Sequence, residues 1–227
     1  MLLVIFTSCM SIYQVKQFIR KELITEWRQR YAINGILLQV LASVLIVYLA
    51  AKILSNPAWN AIYWLIMVFV SIQSISKSFI AESKGKNLYY HQLIKPQNLL
   101  IAKFVYHSFL NGLIALVCLL FYSILMGNPV AIMGYYLLAT LLGCIGFSAT
   151  FTLISGIASK AGNSSMLMPV LSLPVIIPLL LILIKACKRA MDGTDPSQIG
   201  KDMIVLFIFN GLLIGLAYML FPSLWKE

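Results

Sequence analysis

Six apolar runs of near-spanning length dominate this sequence, at about 32–53, 58–79, 99–126, 130–157, 166–186 and 203–221. A bilayer's hydrocarbon core is about 30 Å thick, so a helix needs about 20 such residues to cross it. No water in that layer satisfies backbone N–H and C=O groups, and a helix satisfies its own. The runs therefore predict an all-α integral membrane protein with six transmembrane helices. Composition agrees, since 61% of residues are hydrophobic against about 45–50% in soluble domains. The connections after the first and third runs, SNPAW and GNPVA, are tight Asn-Pro turns. Longer polar connections are expected over 80–98, 158–165 and 187–202. No internal repeat interrupts residues 31–227, which read as one membrane domain.

Residues 11–30, SIYQVKQFIRKELITEWRQR, place Ile12, Val15, Phe18, Ile19, Leu23 and Trp27 roughly on one helical face, with Lys and Arg on the remainder. That pattern predicts an amphipathic helix lying at the membrane interface. The preceding MLLVIFTSCM is apolar but too short to span, and it lacks the basic start of a signal peptide. Residues 1–10 read as a start-site extension, with Met10 the candidate start.

The charge is lopsided, with 17 Lys and Arg against 7 Asp and Glu. An even number of spans puts both termini on one side. Only Lys52, Lys185, Lys188, Arg189 and Lys201 fall on the other side, so the positive-inside bias predicts cytoplasmic termini. The bases cluster at the ends of apolar runs, which points to anionic lipid and not to nucleic acid. Cys9, Cys118, Cys144 and Cys187 show no ligand spacing, and no metal site is expected.

Catalytic motifs are absent. Walker A, HExxH and GxSxG do not occur, and "KGKN" at 84–87 lacks the phosphate loop. No carboxylate lies well inside a run, which disfavours a proton-driven pump. His107 falls inside the third run near Tyr106 and Asn111. It reads either as a helix-to-helix hydrogen bond or as a candidate heme or polar-cavity contact.

The connection IAESKGKNLYYHQLIKPQN is aromatic, basic and apolar together. A short amphipathic helix over about 84–96, closed by Pro96, can offer Leu88, Tyr89, Tyr90, His91, Leu93 and Ile94 to a groove on a soluble partner. Small residues mark helix packing: Gly143, Gly146 and Gly156 in the fourth run, Gly211 and Gly215 in the sixth. The fifth run holds Pro169, Pro174 and Pro178, each lacking the N–H that an interior helical position donates. Pro169 is expected to begin the helix. Pro174 and Pro178 share a face, and Ser172 is a candidate donor for the carbonyls freed near 170 and 174. The bend makes this helix a candidate conformational element.

The tract GCIGFSATFTLISGIASKAGNSSMLMPVLSLPVIIPLLLI (143–182), with its LP-x-x-x-P core from Leu173-Pro174 to Pro178, resembles the CcmB family. That family supplies the membrane permease subunit of the cytochrome c maturation heme exporter ABC transporter. LYYHQLIKPQNLLIAK (88–103) is similar to the family's connection between its second and third spans. The glycine pair expected before the fifth span is here Ser164-Ser165, with Gly162 upstream. The resemblance implies an ABC-2-type permease fold in a bacterial inner membrane, working with a second copy of the chain, a separate ATPase subunit, a heme-handling membrane protein and a periplasmic heme chaperone. It implies no enzymatic activity in this chain and no covalently bound cofactor, with ATP acting through the partner and heme as the candidate cargo. The alternatives are an ABC-2 exporter for lipid, polysaccharide or drug, and a non-transporting scaffold of a heme-handling complex.

Overall fold

The computed structural model describes residues 16–21, 24, 30–51, 54–83, 96–160 and 164–225, among which every regular element is helical. Residues 16–21 are helical, with Lys16 and Arg20 exposed and Phe18 and Ile19 half-buried, as an amphipathic segment requires. Six helices follow: α1 (Arg30–Ala50), α2 (Asn56–Ser83), α3 (Pro96–Met126), α4 (Met133–Lys160), α5 (Ser164–Asp192) and α6 (Pro196–Trp225). Five of them, α2 to α6, are long and apolar enough to cross a membrane. α1 runs from Arg30 to Ala50 and is apolar over Asn34–Ala50, its helix ending three residues before the expected limit at 53. Successive helices run antiparallel. One end of the bundle, the near end, holds Arg30, Ser83, Pro96, Lys160, Ser164 and Trp225, and the far end holds the opposite helix termini.

Local chemistry sets the helix ends. Ser55 accepts the amide of Trp59 at 2.9 Å, opening α2, and Pro57 sits in its first turn, where a missing N–H costs little. Gly127 has φ +78°, the left-handed conformation glycine adopts without a Cβ penalty. Asn128 Oδ1 then accepts the Val130 amide at 3.1 Å.

The polar connection expected over 187–202 shrinks to residues 193–195. Gly193 at φ +66° turns the chain out of α5, and the Thr194 amide donates back to the Arg189 carbonyl at 3.2 Å. Asp195 accepts the amides of Gln198 and Ile199, and Pro196 begins α6. Arg189 and Asp202, which read as loop charges, pair across the two helices at 2.8 Å. Their pairing lets both helices run on beyond the expected apolar limits. The connection expected over 158–165 is likewise shorter, since α4 ends at Lys160 and α5 begins at Ser164. Pro169 therefore lies inside α5 and does not begin it.

α4 is the central helix, packed on α2, α3, α5 and α6, with 67% of its span buried against 28% for α5 and α6. α1 packs on α2 and α3 at the periphery. The far half of the core is aromatic. Trp59, Tyr63, Trp64, Tyr122 and Tyr136 are all buried, with Trp59 and Tyr122 ring centroids 4.7 Å apart. Buried phenols and indoles need partners. Trp59 Nε1 donates to the Gly127 carbonyl at 3.2 Å, Tyr63 to Ala115 at 3.2 Å, and Tyr122 to Trp59 at 3.2 Å. Tyr136 donates to Asn60 Oδ1 at 3.3 Å, while Asn60 Nδ2 donates to the Ile184 carbonyl at 3.1 Å. One amide thus ties α2 to α4 and α5. Tyr136→Phe leaves Asn60 Oδ1 buried without its donor, and we expect a loss of about 1–3 kcal/mol. Thermal unfolding in detergent measures it as a lowered Tm.

Candidate functional site

The near half of the same bundle is polar. His107 is 0% exposed on α3, with Lys103 one turn before it and Asn111 one turn after. Asn111 Nδ2 donates to Ser148 Oγ on α4 at 3.0 Å, and Cys144 Sγ lies 3.6 Å from the Asn111 carbonyl. Asn210 Nδ2 on α6 donates to the Leu142 carbonyl at 2.8 Å. Several buried atoms nonetheless lack a partner among the described residues: both His107 ring nitrogens, Asn111 Oδ1, Asn210 Oδ1 and the hydroxyls of Thr150 and Thr152. The helix-to-helix hydrogen bond considered for His107 is made one turn away by Asn111. The His107 ring lies edge-on to the Tyr106 ring, with centroids 5.2 Å apart.

The small residues divide into two groups. A Cβ on Gly143 would lie 2.8 Å from Leu183 and 2.9 Å from Trp64. On Gly146 it would meet Asn210 Oδ1 at 2.5 Å and Leu179 at 2.8 Å, and on Gly156 the Phe221 ring at 2.8 Å. These three let α4 approach its neighbours. Gly211 and Gly215 have nothing within 4 Å of a built Cβ and face outward. The expected packing there fails within the chain because Asn210, Leu213 and Ala217 occupy the inner face of α6.

α5 continues as a helix through Pro169, Pro174 and Pro178, and its peptide bonds are trans. Ser172 is buried and donates to the Pro169 carbonyl at 2.9 Å, not to the carbonyls of residues 170 and 174. A hydroxyl on a helix reaches back three or four residues along its own chain, which fixes that choice. Pro174 and Pro178 lie on the exposed face of α5. The far end of α5 is held by the α3–α4 connection, where Ala131 and Ile132 donate to the carbonyls of Met191 and Ala190 at 3.3 and 3.0 Å.

Leu88, Tyr89, Tyr90, His91, Leu93 and Ile94 lie outside the described residues, and Pro96 is the first residue of α3. The crevice that α3, α4 and α6 form beside Phe104, Thr152 and Tyr218 holds about 30 Å³. Small-molecule sites run to about 300–1,000 Å³. A molecule the size of heme does not fit that crevice unless helices separate.

Residues 13–219 match the family described as CcmB protein. The chain belongs to the CcmB family. No curated protein matches it. CcmB is the permease component of the heme exporter ABC transporter of cytochrome c biogenesis. ATPase activity lies in its CcmA partner, in keeping with the missing Walker motif of this CcmB chain. Sequence reasoning passed over Asn60 and Asn210, whose amides join helices; an asparagine inside an apolar run is the signal that could have found them.

Proposed function

We propose that this chain is a six-span ABC-2-type permease with both termini cytoplasmic, and that it passes work from the ATPase into its helix bundle through the connection at 84–95. The near end is then the cytoplasmic end. The carrying observation is continuity: α2 and α3 flank that connection, and each runs unbroken from it to the aromatic cluster. They are joined there by the bonds from Tyr63 to Ala115 and from Tyr122 to Trp59. A push on the connection reaches both helices at once.

Two copies of the chain assemble with the ATPase, together with a heme-handling membrane protein and a periplasmic heme chaperone. The unpartnered polar atoms around His107 support a state in which the helices part and that surface meets water or heme. A buried polar group costs about 1–3 kcal/mol when unpaired, so the opened state recovers part of that cost. His107 can then offer a ring nitrogen to heme iron or a hydrogen bond to a heme carboxylate.

α5 is the element that bends. Replacing Pro174 and Pro178 by alanine restores donors to the carbonyls of residues 170 and 174 and stiffens the helix. We expect the Pro174→Ala, Pro178→Ala chain to keep its Tm and its ATPase partner while cytochrome c maturation falls at least tenfold. Maturation at the wild-type rate shows the bend to be static.

A further inference from the structure

The hairpin of α5 and α6 carries Lys185, Lys188, Arg189 and Lys201, all but one of the bases that fall toward the far end of the bundle. The bias that draws positive charge to the near end does not account for them. Arg189 is engaged, with its Nη1 2.8 Å from Asp202 Oδ2 and 3.4 Å from the Gln198 carbonyl. Lys185, Lys188 and Lys201 are exposed, and none has a hydrogen-bond or ion-pair partner among the described residues. The macrodipole of α5 favours cations at its far end, but α6 starts there and its dipole favours anions. Lys201 therefore gains nothing from its own helix.

Depth and direction bring the three lysines together. α5 and α6, about 44 and 45 Å long, match a whole bilayer of about 40–45 Å, whose headgroup layer is about 5–7 Å deep on each side. Lys188 and Lys185 lie about 6 and 10 Å below the end of α5, and Lys201 about 8 Å below the start of α6. Their stems thus leave the helices at or just under phosphate level, and an extended lysine reaches up to it. The exposed acids of the same tip, Asp192 and Asp195, stand at the helix end and beyond it, on the water side of the lysines.

The Arg189–Asp202 pair fixes how α5 and α6 face each other. Lys185 is one turn before Arg189 and about 40° further out, and Lys201 adjoins Asp202 about 100° further out, so both flank the pair on its lipid side. Below them Leu181 on α5 and Val205, Ile208 and Leu212 on α6 are exposed between 49% and 67%.

We propose that this hairpin is a binding site for an anionic phospholipid of the far leaflet. Lys185, Lys188 and Lys201 hold the headgroup phosphate, and the acyl chains lie along Leu181, Val205, Ile208 and Leu212. A zwitterionic lipid presents the same phosphate beside its own ammonium, which three lysines repel, so the site selects for net negative charge.

The test reconstitutes the whole transporter in phosphatidylcholine vesicles with a trace of photoactivatable phosphatidylglycerol, or of phosphatidylcholine bearing the same diazirine acyl chain. Labelled peptides are read by mass spectrometry. The phosphatidylglycerol probe is expected to label α5 and α6 peptides at least tenfold more than the phosphatidylcholine probe. Lys185→Gln, Lys188→Gln and Lys201→Gln together are expected to abolish that preference, at about fivefold per lysine, while arginine at all three positions retains it. All three side chains are exposed, so both variants should keep the wild-type Tm. Equal labelling by the two probes, or a preference that survives the glutamine variant, overturns the site. Carbodiimide linkage of Lys185 or Lys201 to an acidic surface of a partner subunit, with neither probe labelling the hairpin, also overturns it and assigns the patch to that subunit.

Discussion

A chain carrying Tyr89→Ala with Leu93→Glu is expected to leave detergent-solubilised membranes without its ATPase subunit, and cells making it to accumulate no holo-cytochrome c. The pattern Leu88-Tyr89-Tyr90-His91 through Leu93 and Ile94 joins aromatic anchors to an apolar face in the connection between α2 and α3. Truncating a buried anchor costs about 2 kcal/mol or more, about thirtyfold in affinity. The glutamate adds a carboxylate that an apolar groove cannot pair, which compounds the loss. The bundle itself is untouched, so expression and Tm should match the wild-type chain. Partner recovery at the wild-type level would remove this connection from the ATPase interface.

The second large effect is inside the bundle. Gly146→Val is expected to prevent accumulation of folded protein, or to lower stability by more than the ~1–3 kcal/mol typical of overpacking. A Cβ there would stand 2.5 Å from Asn210 Oδ1. Asn210 cannot swing aside freely, because its Nδ2 is bonded to the Leu142 carbonyl at 2.8 Å. Leu179, the other neighbour at 2.8 Å, is fully buried. Gly211→Ala is the comparison. With nothing within 4 Å, it should be neutral or slightly stabilising through helix propensity. Fluorescence-detected size exclusion and thermal unfolding in detergent read both variants, and equal behaviour of the two would contradict the packing described for α4.

Much of this architecture was legible because lipid leaves so few options. Apolar run length placed the helices to within a few residues at the Asn-Pro turns. It failed over 187–202, where hydropathy reads Arg189 and Asp202 as loop charges and cannot see that they neutralise each other across two helices. Spacing found Gly143, Gly146 and Gly156, yet it also selected Gly211 and Gly215. A GxxxG pattern records small residues on one face but not whether that face meets another helix. Proline count singled out α5, whereas the partner of Ser172 depended on the reach of its hydroxyl. The hydrogen-bonded Asn60 and Tyr136 pair, 76 residues apart in sequence, leaves no local signature.

Cys118, Cys144 and Cys187 offer the most direct test of the central claim, that ATP hydrolysis in the partner opens this bundle. All three thiols are buried, on α3, α4 and α5. Alkylation of the assembled transporter by a small maleimide, read peptide by peptide in mass spectrometry, reports their exposure with and without ATP. Low labelling at rest that rises at least tenfold during turnover is the result predicted here. Labelling that stays at the resting level while the ATPase turns over would contradict it.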